Sequence, residues 1–458
     1  MGERPVSRLL LVFSLPPLVG MLVSATYNLV DTAFVGRLGH AAIAALTLVW
    51  PLQLLMLGLA VGVGVGASSL VARRLGAGQT REASAAGAQA LLLAVASGAV
   101  VGVVVLARTD PLLRLLGAGP QTLPLARDYL RTIMWFAPLI FFPMVANNLA
   151  RAEGNPLLGM SIMVSASLIN IGLDPILIFG LGPIPAFGVR GAAMATVIAR
   201  LVAALLYVGY FASRRSSYRL RPGDFLPRPR IWGGIYAVGA PSMTIQLVGT
   251  VTSGVANGIA ASFGSLVLAC FGVVFRLFAL AFMPCIGIGQ GLLPLVGYNY
   301  GAGKLDRVRQ VVRRGALAAV TITALSGLLY VALPGMFVAL FNDDPEFRAM
   351  ASAGLRIAAL LFAPVGAAIV FTTFFQGIGR GLPAMVLALT RQLLFYLPAL
   401  LILPRILGLT GFWAAIPISD GLAVAASLVW TTAAFRRLGF PLFGAGRPVQ
   451  QRGPQPPV

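Results

Sequence analysis

Apolar stretches of about 20 residues or more, uninterrupted by charge, follow one another through this chain. They show none of the polar–apolar alternation of a half-buried strand. Backbone immersed in lipid must satisfy its own hydrogen bonds, which leaves helices or closed barrels, and the missing alternation selects helices. Composition agrees: of 458 residues, 58% are hydrophobic and only 10% charged. A soluble chain uses about a quarter of its residues as charge to face water, so a soluble enzyme is excluded. Gly, Pro and Cys show neither the period nor the density of a disordered tract, a coiled coil or a disulfide scaffold.

Twelve spans are expected, near 9–33, 41–71, 85–107, 123–149, 157–180, 188–212, 232–260, 266–297, 310–341, 349–376, 382–404 and 411–435. With the N-terminus inside, 22 basic residues in loops, span ends and termini fall on the cytoplasmic side and seven outside. That bias orients the chain with both termini cytoplasmic, in the cell inner (plasma) membrane. The net charge of +21 is thus a topology signal, and no nucleic acid partner is expected. The first residues lack a small-residue cleavage site and read as the start of the first span. Cys270 and Cys285 read as apolar fillers, and His40 as a turn residue without companions for a metal.

One constant shift superimposes landmarks from Pro16 to Met160 on the second half of the chain. Pro16 falls on Pro241, Gly39 on Gly264, Gly76 and Gly78 on Gly301 and Gly303, Arg131 on Arg356, Gly154 on Gly379 and Met160 on Met385. The expected fold is therefore an all-α integral membrane protein with twelve transmembrane helices, arranged as two pseudo-symmetric six-helix bundles around a central cleft. Residues 1–212 form the first lobe, 213–231 a basic cytoplasmic linker, 232–440 the second lobe and 441–458 a disordered cytoplasmic tail. Parallel repeats of this kind are transporter architecture.

A carboxylate at mid-membrane costs about 2.5–3.5 kcal/mol, so each one needs a reason. Of thirteen acids only Asp31, Asp174 and Asp420 lie clearly within spans. Asp31 comes one helical turn after Tyr27, and Asp174 one turn after Asn170, so each pair shares a face. Pro175 follows Asp174, bends that helix and leaves a carbonyl free. Two carboxylates, an amide oxygen and a free carbonyl suit a proton or a dehydrated Na⁺; a pair of hydrogen-bonded structural aspartates is the alternative. Glu153 reads as an interfacial partner of Arg151. Asp420 stands alone in the second half, where Arg391 can neutralise it. Ion coupling belongs to the first half.

The strings VDTAFVGRLG at 30–39, LGAG at 75–78, RAEGNP at 151–156, NIGLDPILIFGLG at 170–182 and GVRGAAMATVIA at 188–199 resemble the multidrug and toxic compound extrusion (MATE) family. So do FMPCIGIGQGLLPLVGYNYGAGK at 282–304 and FQGIGRGLP at 375–383. The resemblance implies a twelve-helix antiporter exporting cationic or amphiphilic compounds against inward H⁺ or Na⁺. It is closest to the branch, archaeal members included, whose coupling site is in the first lobe. Carried over, that site is Asp31, Asn170, Asp174 and Thr196, which would also hold Na⁺, with Tyr27 and Asn147 lining the substrate cavity. Pro16 matches the proline at which the first helix bends in that branch.

The glycine-rich LGLAVGVGVGASS at 57–69 lies inside a span and reads as close helix packing, not a phosphate cradle. No lysine follows it, so an ATP-driven pump has no support. Neither a catalytic cluster nor a symmetric polar pore is visible, so neither an enzyme nor a channel is expected. No cofactor is expected; the partners are a small amphiphilic or cationic substrate, H⁺ or Na⁺, and membrane lipid, with the protein a monomer. The alternative is a lipid-linked oligosaccharide flippase of the wider superfamily, with Arg200, Arg276 and Arg391 available to a pyrophosphate.

Overall fold

The computed structural model describes residues 1–213 and 215–437. The tail expected at 441–458 lies outside the described residues. In the first half the helices are α1 (Val6–Gly36), α2 (His40–Gly76), α3 (Thr80–Ala107), α4 (Thr109–Leu115), α5 (Thr122–Trp135), α6 (Ala137–Ala152), α7 (Pro156–Phe179) and α8 (Val189–Ala212). The second half has α9 (Pro229–Ser262), α10 (Ser265–Gly301), α11 (Leu305–Ala332), α12 (Pro334–Val338), α13 (Pro345–Ala358), α14 (Val365–Gly377), α15 (Gly381–Leu389) and α16 (Leu397–Arg437). Among the described residues there is no strand, only an isolated bridge between Leu181 and Ile184.

Eight of these helical stretches are long and apolar enough to cross a membrane, and α5 with α6 makes a ninth. The last of the eight, Gly381–Arg437, divides at Gly408, whose φ of 58° and ψ of −138° are not helical. With α9 and the interrupted pair α13–α14, the twelve expected spans are accounted for. Two differ from the uninterrupted helices expected. The fourth bends by 57° between α5 and α6, where Pro138 has no N–H for the ladder. The tenth is interrupted between Ala358 and Val365.

The duplication is visible in the backbone. α2 and α10 are each 37 residues long, and their first residues, His40 and Ser265, coincide under the shift that brings Pro16 onto Pro241. The same holds for α3 and α11, at 28 residues each, which begin at Thr80 and Leu305. Gly39 and Gly264, which precede α2 and α10, have φ of 111° and 116°, a region that side chains with a Cβ avoid. That requirement explains why glycine survives at both copies.

Contacts divide the chain into two compact units, one from Pro16 to Met243, the other Met1–Leu15 with Thr244 onward. The division falls inside α1 and α9, each time within a few residues of a helical proline, Pro16 or Pro241. The opening turns of α1 bury Val6, Leu9 and Phe13 among Ile288, Leu292 and Val311 of the second unit. In the first unit, Ile235 of α9 is buried with Val63 and Ala67 of α2. Glycines make both approaches possible. A Cβ on Gly66 would strike the Ile235 carbonyl, and one on Gly291, its equivalent, would come within 2.7 Å of the Phe13 backbone. The glycine-rich run of α2 is thus a packing surface.

The linker after α8 is folded onto α3. Gln89, the lone amide in the apolar middle of α3, is fully buried. Its Nε2 donates to the carbonyls of Asp224 and Leu226 at 2.5 and 2.7 Å, and its Oε1 accepts from the Arg228 amide and the Trp232 indole at 3.0 and 2.7 Å. Asp224 sits in a 3-10 turn, Pro222–Phe225, and accepts from Arg81 at 2.5 Å. Burial alone would push its carboxyl up; the Arg81 and Arg221 hydrogen bonds and the Arg81 and Arg228 charges outweigh this and hold it below the usual range. Because the folded-state value lies below the unfolded one, the stabilisation is complete above the ordinary carboxylate range. It fades as pH falls through the depressed value. Asp224→Asn is therefore expected to lower the melting temperature by a few degrees at pH 7 and by progressively less below pH 4, read by a pH series of thermal melts on both proteins.

Candidate functional site

Three helices of the first unit each contribute two polar side chains one turn apart. α1 carries Tyr27 and Asp31, α7 carries Asn170 and Asp174, and α8 carries Thr196 and Arg200. The i, i+4 spacing puts each pair on one helix face. The faces meet in a closed ring. The carboxyls of Asp31 and Asp174 lie within hydrogen-bonding reach of each other, joining α1 to α7. Asn170 Nδ2 donates to Thr196 Oγ1 at 3.5 Å, joining α7 to α8. Arg200 donates to the Tyr27 hydroxyl at 3.4 Å, closing α8 onto α1.

The acidic side of this ring is buried and short of donors, while Tyr27, Thr196 and Arg200 are half-buried. Asp174 is fully buried, Asn170 is 2% exposed and Asp31 9%. Asp31 Oδ1, Asn170 Oδ1 and both Asp174 oxygens lack a hydrogen-bond donor. Two carboxylates can share a hydrogen bond only when one of them holds a proton. Arg200 spends its bond on Tyr27, not on either acid. Buried carboxylate and amide oxygens without donors are chemically able to take up a proton or a small hard cation. Pro175, next to Asp174 inside α7, has no N–H to offer the carbonyl of Ile171.

Around the ring stand two residues that the sequence did not single out. Tyr129 of α5 is buried within electrostatic range of Asp31, Tyr27 and Asp174, and Gln53 of α2 donates to its hydroxyl at 3.3 Å. Asn147 is placed differently. Its Oδ1 accepts from Arg151, and its Nδ2 donates to the Gly159 carbonyl at 3.3 Å, so its bonds run to an α6 side chain and the α7 backbone rather than to either aspartate. Arg151 also donates to Asn148 at 2.8 Å. The expected Arg151–Glu153 pair does not form. Glu153 instead accepts from Ser216 Oγ and the Ser217 amide at 2.9 and 2.8 Å, tying the linker to the end of α6.

In the second unit, Arg391 Nε donates to Asp420 at 2.7 Å. Arg391 lies in a π-helical turn, Thr390–Tyr396, between α15 and α16. Asp420 is 3% exposed, and the pair is the neutralising contact anticipated from sequence. Arg276 of α10 is exposed. Cys270 and Cys285 are buried free thiols in separate apolar clusters.

Two halves in tandem, with two of the three intramembrane carboxylates together in the first, have the architecture of a membrane transporter. The MatE family model matches residues 16–176 and again 241–401, so the second match opens at Pro241, where the landmark shift places the equivalent of Pro16. The chain belongs to the MATE family of transporters, and it is no enzyme. It is 31% identical over 427 residues to an FAD transporter of Shewanella oneidensis, covering 91% of this chain and 92% of that protein. It is 28% identical over 428 residues to the multidrug export protein MepA of Staphylococcus aureus, covering 93% and 94%. A solved MOP superfamily transporter from Pyrococcus furiosus matches with a TM-score of 0.88 and 28% identity, covering 95% of this chain and 97% of that one.

Proposed function

We propose that this protein exports cationic or amphiphilic compounds from the cell in exchange for H⁺ or Na⁺, with Asp31, Asp174, Asn170 and Thr196 as the coupling site. The observation that carries this reading is the cluster of unpartnered oxygens on the contacting Asp31 and Asp174 side chains. Arg200 adds one positive charge to two acids, so the ring is short of one positive charge when both acids are ionised. A proton or a Na⁺ supplies it. Tyr27 and Asn147 face substrate in this reading, the halves rock to expose it alternately, and the protein works as a monomer in the inner membrane with both termini cytoplasmic. The flippase alternative is weakened by Arg391, whose charge is taken up by Asp420. The test is transport in proteoliposomes with pH and Na⁺ gradients imposed separately, on a panel of cationic dyes that also includes FAD, the substrate named for the Shewanella relative. Efflux that follows neither gradient overturns the coupling site.

The first helix gives this site a moving part. α1 runs unbroken through Pro16 and Pro17, where its ladder already lacks hydrogen bonds and bending costs less than elsewhere. Neutralising Asp31 removes the charge that draws polar partners towards it, and the helix then bends and narrows the cavity. Pro16→Ala is expected to lower coupled efflux several-fold while leaving the affinity for a resting substrate unchanged, measured by efflux rates and equilibrium binding on the same preparation. Equal efflux in the variant removes the bend from the mechanism.

A further inference from the structure

Where the linker passes the end of α8, the first unit holds a cavity of about 420 Å³. Its walls are Leu91 of α3, Phe142 of α6, Val208 and Phe211 of α8, and Phe225 of the linker. The cavity is open to the surface, with Val208 52% and Phe225 39% exposed. Leu91 lies eleven residues into α3 and Phe142 ten residues before the end of α6, so both stand about 15 Å along their helices from the ends. Its α3, α6 and α8 walls are apolar and suit a hydrocarbon tail, while Ser213, Ser216, Tyr218 and Arg219 line the linker side.

Its rim is basic. Arg219 lines the cavity, and its backbone is fixed by an amide bond to Ser84 Oγ at 3.0 Å. Its side chain is exposed and makes no ion pair among the described residues. The linker carries Arg214, Arg215, Arg219, Arg221, Arg228 and Arg230 against one acid, Asp224, and that acid is already held by Arg81 and Arg228. Beside these charges Leu226 is 67% exposed. Exposed Phe and Leu among arginines mark a segment lying at a bilayer surface, where basic side chains meet anionic headgroups.

We propose that this cavity binds one anionic phospholipid, with an acyl chain in the groove and the headgroup phosphate against Arg219. The apolar walls accept any phospholipid tail, so selection for charge rests on the arginine, and one basic residue at the surface is worth a preference of about fivefold. The site is separate from the acidic ring and stands whether or not that ring couples transport.

The test is native mass spectrometry of the full chain, extracted from mixed phosphatidylglycerol and phosphatidylcholine. The wild type is expected to retain one phosphatidylglycerol about fivefold in preference to phosphatidylcholine. Arg219→Gln brings the two lipids to parity, and Val208→Trp, which fills the groove, removes the retained lipid of either kind. Arg219 is exposed, so its variant keeps the test decisive even if the tryptophan protein fails to fold. Equal retention of the two lipids by the wild type overturns the proposal, as does an undiminished preference in Arg219→Gln. Displacement of phosphatidylglycerol by an equal concentration of soluble glycerophosphate overturns it too, because the site would then be one for a free anion.

Discussion

Asp31→Asn and Asp174→Asn are each expected to abolish gradient-driven efflux while leaving a folded protein in the membrane. Asparagine keeps the volume and much of the hydrogen bonding of the acid, but it neither takes up and releases a proton nor offers Na⁺ a charge. One proton moving down one pH unit and 100 mV supplies about 4 kcal/mol. For a neutral substrate that sustains a gradient of several hundredfold, and each variant should collapse it to equality. The two acids share one pocket, and Asp31 Oδ1 and both Asp174 oxygens lack other partners, so the double variant should behave like either single one. Full accumulation in either single variant, measured in proteoliposomes alongside a thermal melt, would remove the ring from coupling.

Asp420→Asn is expected to act on stability and not on coupling. Removing one member of a fully buried ion pair costs about 3–5 kcal/mol; Asp420 is buried but the Arg391 side chain is 37% exposed, so the loss here should be smaller than that. Arg391 would be left with its charge in the membrane and no carboxylate at 2.7 Å. Changing both residues together, Arg391→Met with Asp420→Leu, removes the stranded charge and should recover most of the lost melting temperature. A stable Asp420→Asn protein that binds substrate but fails to couple would instead draw Asp420 into transport.

The fold was legible because lipid permits so few solutions. Uninterrupted apolar runs fix the helices, and one constant shift fixes the two halves, later matched by the paired φ angles of Gly39 and Gly264. Asp31, Asn170 and Asp174 could be picked out because charge in an apolar span is costly and because four-residue spacing defines a helix face. Tyr129 and Gln53 were hidden. Their proximity to the acids depends on how α5 and α2 pack against α1 and α7, which no local spacing encodes. Arg200 had a signal in its position one turn after Thr196, but only the contact with Tyr27 shows what it closes. The 57° bend after Trp135 escaped because the hydropathy of the fourth span is continuous through it. Gln89 was a missed clue of the same kind as Asp31, a lone polar group in an apolar helix, whose partners turned out to be the linker.

The exchange of helix ends bears on what holds the two copies together. Within its own half, α2 presents a furrow at Gly66 that the start of α9 fills, and α10 presents the matching furrow at Gly291 to the start of α1. Each furrow is thus filled by the helix start of the other copy, which is the reciprocal geometry of a domain swap within one chain. The exchange therefore locks the two copies together at both helix starts, and substitution of either glycine by a larger residue should unseat one of them. The glycines of the furrows recur in both copies while the acids Asp31 and Asp174 do not, so the swap constrains the shared scaffold and leaves the chemistry of each half to differ.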